Sequence, residues 1–237
     1  MFFKAKDIIT TGTILCGFLV LVFASMGSFL TASLLILLGA ILDIFDGVYA
    51  RWTGSGNVFG KEFDLIADLI IYSMAPGILL FFVYQSYNIY IATIIGMLPL
   101  VFGCIRLARF NVKGIEYPGY WFGFPRPGSA IAIVAFVNSY MFNNFDLMLL
   151  GIVFVVAIAG MNISLVPYAG HHKRIFTNRQ KILFSVAVIV GIVACVLGYG
   201  WDVILIYAIG YLISPIFISR TERMKINNFI EKWKRGV

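Results

Sequence analysis

An all-α fold, a polytopic membrane bundle of about eight transmembrane helices, is the fold class that this sequence predicts. Two observations on composition support it: 61% of the 237 residues are apolar and 12% are charged. A soluble domain is about 45–50% apolar. The third observation is that the apolar residues form runs of roughly 17–25 positions, the length that a helix needs to cross a bilayer. These features exclude an ordinary soluble domain.

Eight apolar runs, separated by short polar connections, are the predicted membrane spans. They cover residues 8–26, 29–51, 63–84, 88–108, 128–144, 147–168, 182–199 and 202–219. The first run follows Lys4 and Lys6, as the apolar part of a secretory signal would. Asp7 opens it, however, and no clear small-residue cleavage site follows, so we expect the helix to be retained. Residues 1–219 are thus predicted to form a single transmembrane domain.

The distribution of charge predicts how the spans are threaded. If the eight spans alternate in direction, all 18 Lys and Arg residues fall on one side of the membrane. The connections on the other side, near residues 27, 86, 145 and 200, carry only Asp146 and Asp202 as charges. By the positive-inside rule, both termini and the loop after residue 51 are cytoplasmic, in a protein of a prokaryotic cell membrane. The net charge of +7 then reflects attraction to anionic headgroups and predicts no nucleic-acid partner.

The last residues, 220–237, predict a basic amphipathic tail. Apolar side chains recur there at helical spacing, and Lys and Arg residues lie between them. The apolar positions are Ile226, Phe229, Ile230 and Trp233. Such a helix is expected to lie on the cytoplasmic membrane interface.

Two pairs of aspartates are the main functional signal. Asp43 and Asp46 are three residues apart, and Asp64 and Asp68 are four apart, so each pair shares one face of a helix. Four carboxylates beside apolar runs would repel one another unless cations neutralise them. Oxygen ligands favour hard cations, so Mg²⁺ or Mn²⁺ is expected. Two such ions, about 3.5–4 Å apart, would clamp a diphosphate.

The residues around the aspartates complete a longer pattern. Gly47 and Ala50 leave space for a ligand beside the helix, and Arg51 offers a guanidinium to phosphate. The whole string reads D-x-x-D-G-x-x-A-R, eight residues, then G-x-x-x-D-x-x-x-D over residues 43–68. It resembles the signature of the CDP-alcohol phosphotransferase family. The resemblance implies that Asp43, Asp46, Asp64 and Asp68 hold two divalent cations and that Asp68 is the catalytic base. It also implies a nucleotide site formed by Asp46, Gly47, Ala50, Arg51 and Gly60.

A second stretch, residues 104–130, is similar to segments of the phosphatidylserine synthase branch of that family. It contains R-L-A-R-F-N from Arg106 to Asn111, and G-F-P-R-P-G-S-A from Gly123 to Ala130. The resemblance implies transfer of a phosphatidyl-type group from CDP-diacylglycerol or CDP-archaeol to L-serine, with release of CMP, by a homodimer in the bilayer. Arg106, Arg109 and Asn111 are candidates for binding the acceptor or its phosphate. We interpret Arg126 as an interfacial anchor.

Other functions are compatible with parts of the pattern. The same chemistry with glycerol phosphate, inositol phosphate, ethanolamine or choline as acceptor is the first alternative. An intramembrane prenyltransferase also binds diphosphate with acidic clusters, but its motifs usually lie far apart in sequence. An ion-coupled transporter would use intramembrane acids too, although neither internal repeats nor a second acidic cluster is found in this sequence.

Overall fold

A computed structural model describes residues 4–235 with the exception of 55–56, 113, 116, 141, 143–147 and 170–197. The helices are α1 (Ala5–Ser25), α2 (Phe29–Thr53), α3 (Val58–Leu69), α4 (Ala75–Tyr84), α5 (Ile89–Val112), α6 (Arg126–Asn138), α7 (Met148–Ile163), α8 (Gly200–Ile213) and α9 (Arg220–Arg235). The predicted seventh span, 182–199, lies almost entirely outside the described residues, as does the basic loop before it.

The all-α membrane fold is confirmed. Among the described residues, five helical stretches are long and apolar enough to cross a membrane. They are Lys6–Ser25, Phe29–Thr53, Val58–Tyr84, Ile89–Val112 and Gly200–Phe217. α7 is a shorter apolar helix. α6 ends at Asn138, earlier than the predicted end of that span at 144.

Glycines set how closely the helices pack. A Cβ placed on Gly39 of α2 would collide with the Ile71 side chain, and one on Gly103 of α5 would collide with Ser73 Oγ. At Gly77 of α4 the backbone carbonyl of Gly96 in α5 occupies the same space. Because lipid provides no hydrophobic drive between helices, such small residues allow the close backbone contacts that hold a membrane bundle together.

A π-helical turn, Ile70–Met74, joins α3 to α4 within one continuous span. Three successive residues in it, Ile71, Tyr72 and Ser73, are all buried. Ile71 packs on α2 and Ser73 on α5, whereas Tyr72 reaches an aspartate of α2. A π turn widens the helix by one residue, so neighbouring side chains can face different partners.

A small ribbon and the C-terminal helix form a separate layer. β1 (Tyr120–Phe122) pairs antiparallel with β2 (Pro167–Ala169), and Phe122 is fully buried. Ile226 and Ile230 of α9 are buried against Ile115 and Phe122. The tail is therefore helical as the sequence predicts, but its apolar face packs on the protein, where the sequence suggested lipid. A sequence pattern cannot distinguish these two apolar surroundings.

The bundle has two chemically different ends. At one end the start of α1, the end of α2 and the start of α3 meet the end of α5 and the start of α6, which brings several Lys and Arg residues together. At the other end neutral groups predominate among the described residues, as in the hydrogen bonds from Asn138 Nδ2 to Ser33 Oγ and from Tyr84 Oη to the Met148 carbonyl. The aspartate pairs lie near the basic end.

Candidate active site

Three of the four predicted acids converge between α2 and α3. One carboxylate oxygen from each of Asp43, Asp64 and Asp68 lies within 4.8 Å of the others. Asp43 is on α2, and the other two are one helical turn apart on α3. The i, i+4 spacing on α3 and the antiparallel α2–α3 turn therefore bring these side chains together, as the sequence predicts.

Asp46 lies at the edge of this group and is directed towards α1. It is buried, and its Oδ2 accepts a hydrogen bond of 2.7 Å from Thr10 Oγ1. Its carboxyl group also interacts with those of Asp43 and Asp64. Nearby, the Lys6 side chain is only 8% exposed and lies 3.6 Å from Asp7 Oδ1. Helix α1 thus forms a third wall of the site and brings the buried Lys6 side chain to it.

Two other side chains each hold one acid. Tyr72 Oη donates a hydrogen bond of 2.7 Å to Asp43 Oδ2. Arg126 Nη2 lies 2.7 Å from Asp68 Oδ2, and the two side chains are 13% and 19% exposed. Arg126 therefore faces the acids, and our interpretation of it as an interfacial anchor is wrong. Membrane anchoring and acid pairing both place an arginine at a helix end, so its sequence position did not distinguish them.

The chemistry of the acid group fits a hard divalent cation. All of its donors are carboxylate oxygens, which Mg²⁺ and Mn²⁺ prefer. Asp64 Oδ1 is buried and has no hydrogen-bond partner within the described part of the chain. A buried, unpaired carboxylate oxygen is costly. Asp43, Asp64 and Asp68 are thus the residues that would hold such an ion, with Asp46 beside them.

The residues predicted to bind nucleotide lie around the acids in two different settings. Gly47 is adjacent to open space, since a Cβ there would meet only Arg51 Nη1 within 4 Å, at 3.6 Å. Gly60 is buried, and a Cβ there would collide with Lys6 and with Asn57 Oδ1. Ala50 is half-buried on α2, and Arg51 is exposed at its last turn. Packing explains Gly60, whereas no contact with the described residues requires a glycine at 47.

Two of the three predicted acceptor residues, Arg106 and Arg109, donate hydrogen bonds to backbone carbonyls. Arg106 is buried and donates from Nη1 to the Phe124 carbonyl at 2.8 Å. Arg109 donates from Nη1 to the Ile163 carbonyl at 2.5 Å and from Nη2 to the Ser164 carbonyl at 3.4 Å. Asn111 is exposed at the end of α5. The two arginines tie α5 to the segments before α6 and after α7.

Sequence reasoning missed the roles of Lys6, Thr10, Tyr72 and Arg126 in surrounding the acids. Only Tyr72 carried a local signal, because it follows Asp68 by four residues and so extends the stripe of Asp64 and Asp68 along the helix. The other three residues come from α1 and α6, and their positions depend on tertiary packing.

Together, these features define a class: a helical membrane protein with an acid cluster suited to a divalent cation and to phosphate chemistry. Residues 4–164 match the CDP-alcohol phosphatidyltransferase family. The chain belongs to that family.

Several relatives carry more specific names. The CDP-diacylglycerol–serine O-phosphatidyltransferase of Helicobacter pylori is 34% identical over 172 residues, covering 70% of this chain and 72% of that protein. The one of Methanocaldococcus jannaschii is 32% identical over 217 residues, covering 89% of this chain and 94% of that protein. The archaetidylserine synthase of Methanothermobacter thermautotrophicus is 30% identical over 169 residues, covering 70% of each.

Proposed function

We propose that this protein transfers a phosphatidyl-type group from a CDP-linked lipid to L-serine, giving phosphatidylserine or archaetidylserine and CMP. The observation that carries the proposal is the convergence of Asp43, Asp64 and Asp68 at one end of a membrane bundle. Family membership and the names of the relatives support the substrates. Relatives named for diacylglycerol-based and archaeol-based lipids both match the chain, so we propose the two lipid classes as donors.

In the proposed reaction the serine hydroxyl attacks the lipid-side phosphorus of the donor. Asp68 takes the hydroxyl proton, a bond forms between serine Oγ and phosphorus, and the bond between that phosphorus and the bridging oxygen breaks, so that CMP leaves. Asp68 suits this role because Arg126 fixes one of its oxygens at 2.7 Å and the other carboxylates are close. Tyr72 fixes the orientation of Asp43 in the same way.

We propose that Asp43, Asp46, Asp64 and Asp68 hold two divalent cations, Mg²⁺ or Mn²⁺. When bound, such ions neutralise the negative charge that develops on phosphate oxygens. The nucleotide would lie along α2 at Gly47 and Ala50, with Arg51 and Gly60 at the edge of the site. Lys6 adds a fixed positive charge beside Asp46 and Asp64.

We further propose that the acid cluster and both termini face the cytoplasm, where CDP-linked lipid and serine are both accessible. The basic end of the bundle supports this orientation, because Lys and Arg residues are retained on the cytoplasmic side. In this proposal residues 1–219 form the catalytic domain, α9 packs on it as an accessory helix, and the protein works as a homodimer.

The test is purified protein in detergent or liposomes with Mg²⁺ or Mn²⁺, a CDP-lipid and a panel of alcohols. CMP release and the mass of the lipid product are measured. We expect CMP only with a divalent cation present, and a serine-containing lipid in preference to products of glycerol phosphate, inositol phosphate, ethanolamine or choline. Release of diphosphate, or CMP formation independent of serine, would overturn the proposal.

A further inference from the structure

Arg126 is positioned to do more than neutralise Asp68. It is the first residue of α6, and Pro125 precedes it in extended conformation. Nη2 is held by Asp68 Oδ2, while Nη1 is buried and has no hydrogen-bond partner within the described residues. A buried guanidinium nitrogen without an acceptor is unfavourable. The contact with Asp68 therefore leaves part of the donor fork available to a second anion.

The two arginines that the sequence indicated for this task have protein partners of a different kind. Arg106 and Arg109 direct Nη groups at backbone carbonyls, where they join helices, although the Nε atom of each is buried without a hydrogen-bond partner among the described residues. Arg126, in contrast, is in direct contact with the acid proposed to take the acceptor proton.

We infer that Arg126 binds the carboxylate of the amino-acid acceptor and so determines specificity for serine. This inference rests on the proposed function. In serine only two carbons separate the hydroxyl oxygen from the carboxyl carbon, so one molecule can present its hydroxyl to Asp68 and its carboxylate to the adjacent guanidinium. Arginine is suited to hold two carboxylates, because its planar fork carries five N–H donors.

A small cavity lies next to Arg126, and apolar side chains such as Ile133, Val155 and Ile158 form most of its lining. Its lining includes Tyr72, Ser73, Ser129 and Asn162, and Asn162 Nδ2 donates to Ser129 Oγ at 3.0 Å. Its volume of about 10 Å³ accommodates a group about the size of one water molecule. The space beside Arg126 therefore admits at most one oxygen atom, and it is too small for a phosphate or an inositol ring.

The experiment compares two acceptors that differ only in the carboxylate, L-serine and ethanolamine, in wild type, Arg126→Lys and Arg126→Gln. CMP release gives kcat and KM for each acceptor and for the CDP-lipid. We expect kcat/KM for serine to fall about 100-fold in Arg126→Gln, as for loss of a charge-assisted contact of about 3 kcal/mol. The kcat/KM for ethanolamine, which is low in wild type, should change much less. The preference for serine over ethanolamine should therefore largely disappear. Arg126→Lys keeps the charge but loses the planar guanidinium group, so its kcat/KM for serine should lie between those of wild type and Arg126→Gln.

The control is Arg223→Gln, since Arg223 also lies in the first turn of a helix, but it donates to the Pro215 and Ile216 carbonyls and is far from Asp68 in the fold. It should keep the serine KM of the wild type. Equal losses for serine and ethanolamine in the Arg126 variants, with an unchanged serine KM, would overturn the inference and leave Arg126 as a positioning residue for Asp68. If wild type formed no serine lipid at all, the proposed function would fail first. If Arg126→Gln does not fold, a wild-type serine KM in Arg126→Lys overturns the inference by itself.

Discussion

The sequence predicts a functional role both for the aspartates of α2 and α3 and for the arginines near the C-terminal end of α5, but the two groups have different surroundings in the structure. Asp43, Asp64 and Asp68 approach one another, and Asp64 has a buried oxygen without a hydrogen-bond partner in the described structure. Arg106 and Arg109 each have a buried Nε without a hydrogen-bond partner among the described residues, but both donate from Nη groups to backbone carbonyls of neighbouring segments. Like-charged side chains that lie close together with too few hydrogen-bond partners in the protein indicate a ligand site. Charges that reach backbone carbonyls indicate helix packing.

The largest effect is expected at Asp68. Asp68→Asn removes the proposed proton acceptor but keeps the size of the side chain, so CMP release should fall by about 10²–10⁴-fold while binding of CDP changes little. Steady-state CMP release and protection from thermal unfolding by CDP measure the two quantities. Glu231→Gln is the control, because Glu231 is 68% exposed on α9. Substantial CMP release by Asp68→Asn would remove Asp68 from the role of base.

Tyr72 tests whether the acids depend on their neighbours. Tyr72→Phe removes the hydrogen bond to Asp43, so we expect the Mg²⁺ or Mn²⁺ concentration for half-maximal activity to rise by about 10–100-fold. Tyr84→Phe is the matched control. It also removes a buried hydroxyl, but one that donates to the Met148 carbonyl at the opposite end. Equal cation requirements in the two variants would show that Asp43 is oriented without Tyr72.

Gly47 tests whether a glycine of this site is needed for nucleotide binding or for helix packing. In Gly47→Ala the nearest atom to the new methyl group among the described residues, outside its own helical backbone, is Arg51 Nη1 at 3.6 Å, so thermal stability should be retained or increased. If the nucleotide approaches this backbone, its affinity should fall about tenfold from a clash of about 1–3 kcal/mol. Gly39→Ala should behave in the opposite way, since its new Cβ would collide with the Ile71 side chain. Unchanged CDP affinity in Gly47→Ala would exclude contact between the nucleotide and this position.

The smallest kinetic effect is expected at Arg109. Arg109→Gln loses donors to the Ile163 and Ser164 carbonyls, so the free energy of unfolding should fall by about 1.5–3 kcal/mol. The serine KM of the folded protein should stay within about twofold of wild type, a change of less than 0.5 kcal/mol or so in binding. Unfolding in mild detergent and CMP release against serine concentration measure both. A large rise in serine KM would restore Arg109 to the acceptor site.

Local features of this molecule could be predicted from the sequence, whereas contacts between distant segments could not. The sequence predicts α2 over 29–51 and the structure has it at Phe29–Thr53, because a long apolar run and helical spacing are local properties. Helical spacing also predicts that Asp64 and Asp68 share a face. The pairing of Arg126 with Asp68 joins residues 58 positions apart and depends on how α6 packs. The packing of α9 on the protein could not be predicted for a different reason, since an amphipathic helix can bury its apolar face equally well in lipid or against protein.

The π-helical turn at Ile70–Met74 makes the length of this span critical. An ordinary helix turns by about 100° per residue. Deleting one residue between 70 and 74 would therefore rotate all of α4 relative to the acids, and both the Gly77–Gly96 contact and the Tyr72 hydroxyl would be displaced. A substitution in this turn alters a single contact. An insertion or deletion would instead change the orientation of α3, which carries Asp64 and Asp68, relative to α4, which packs against its neighbours.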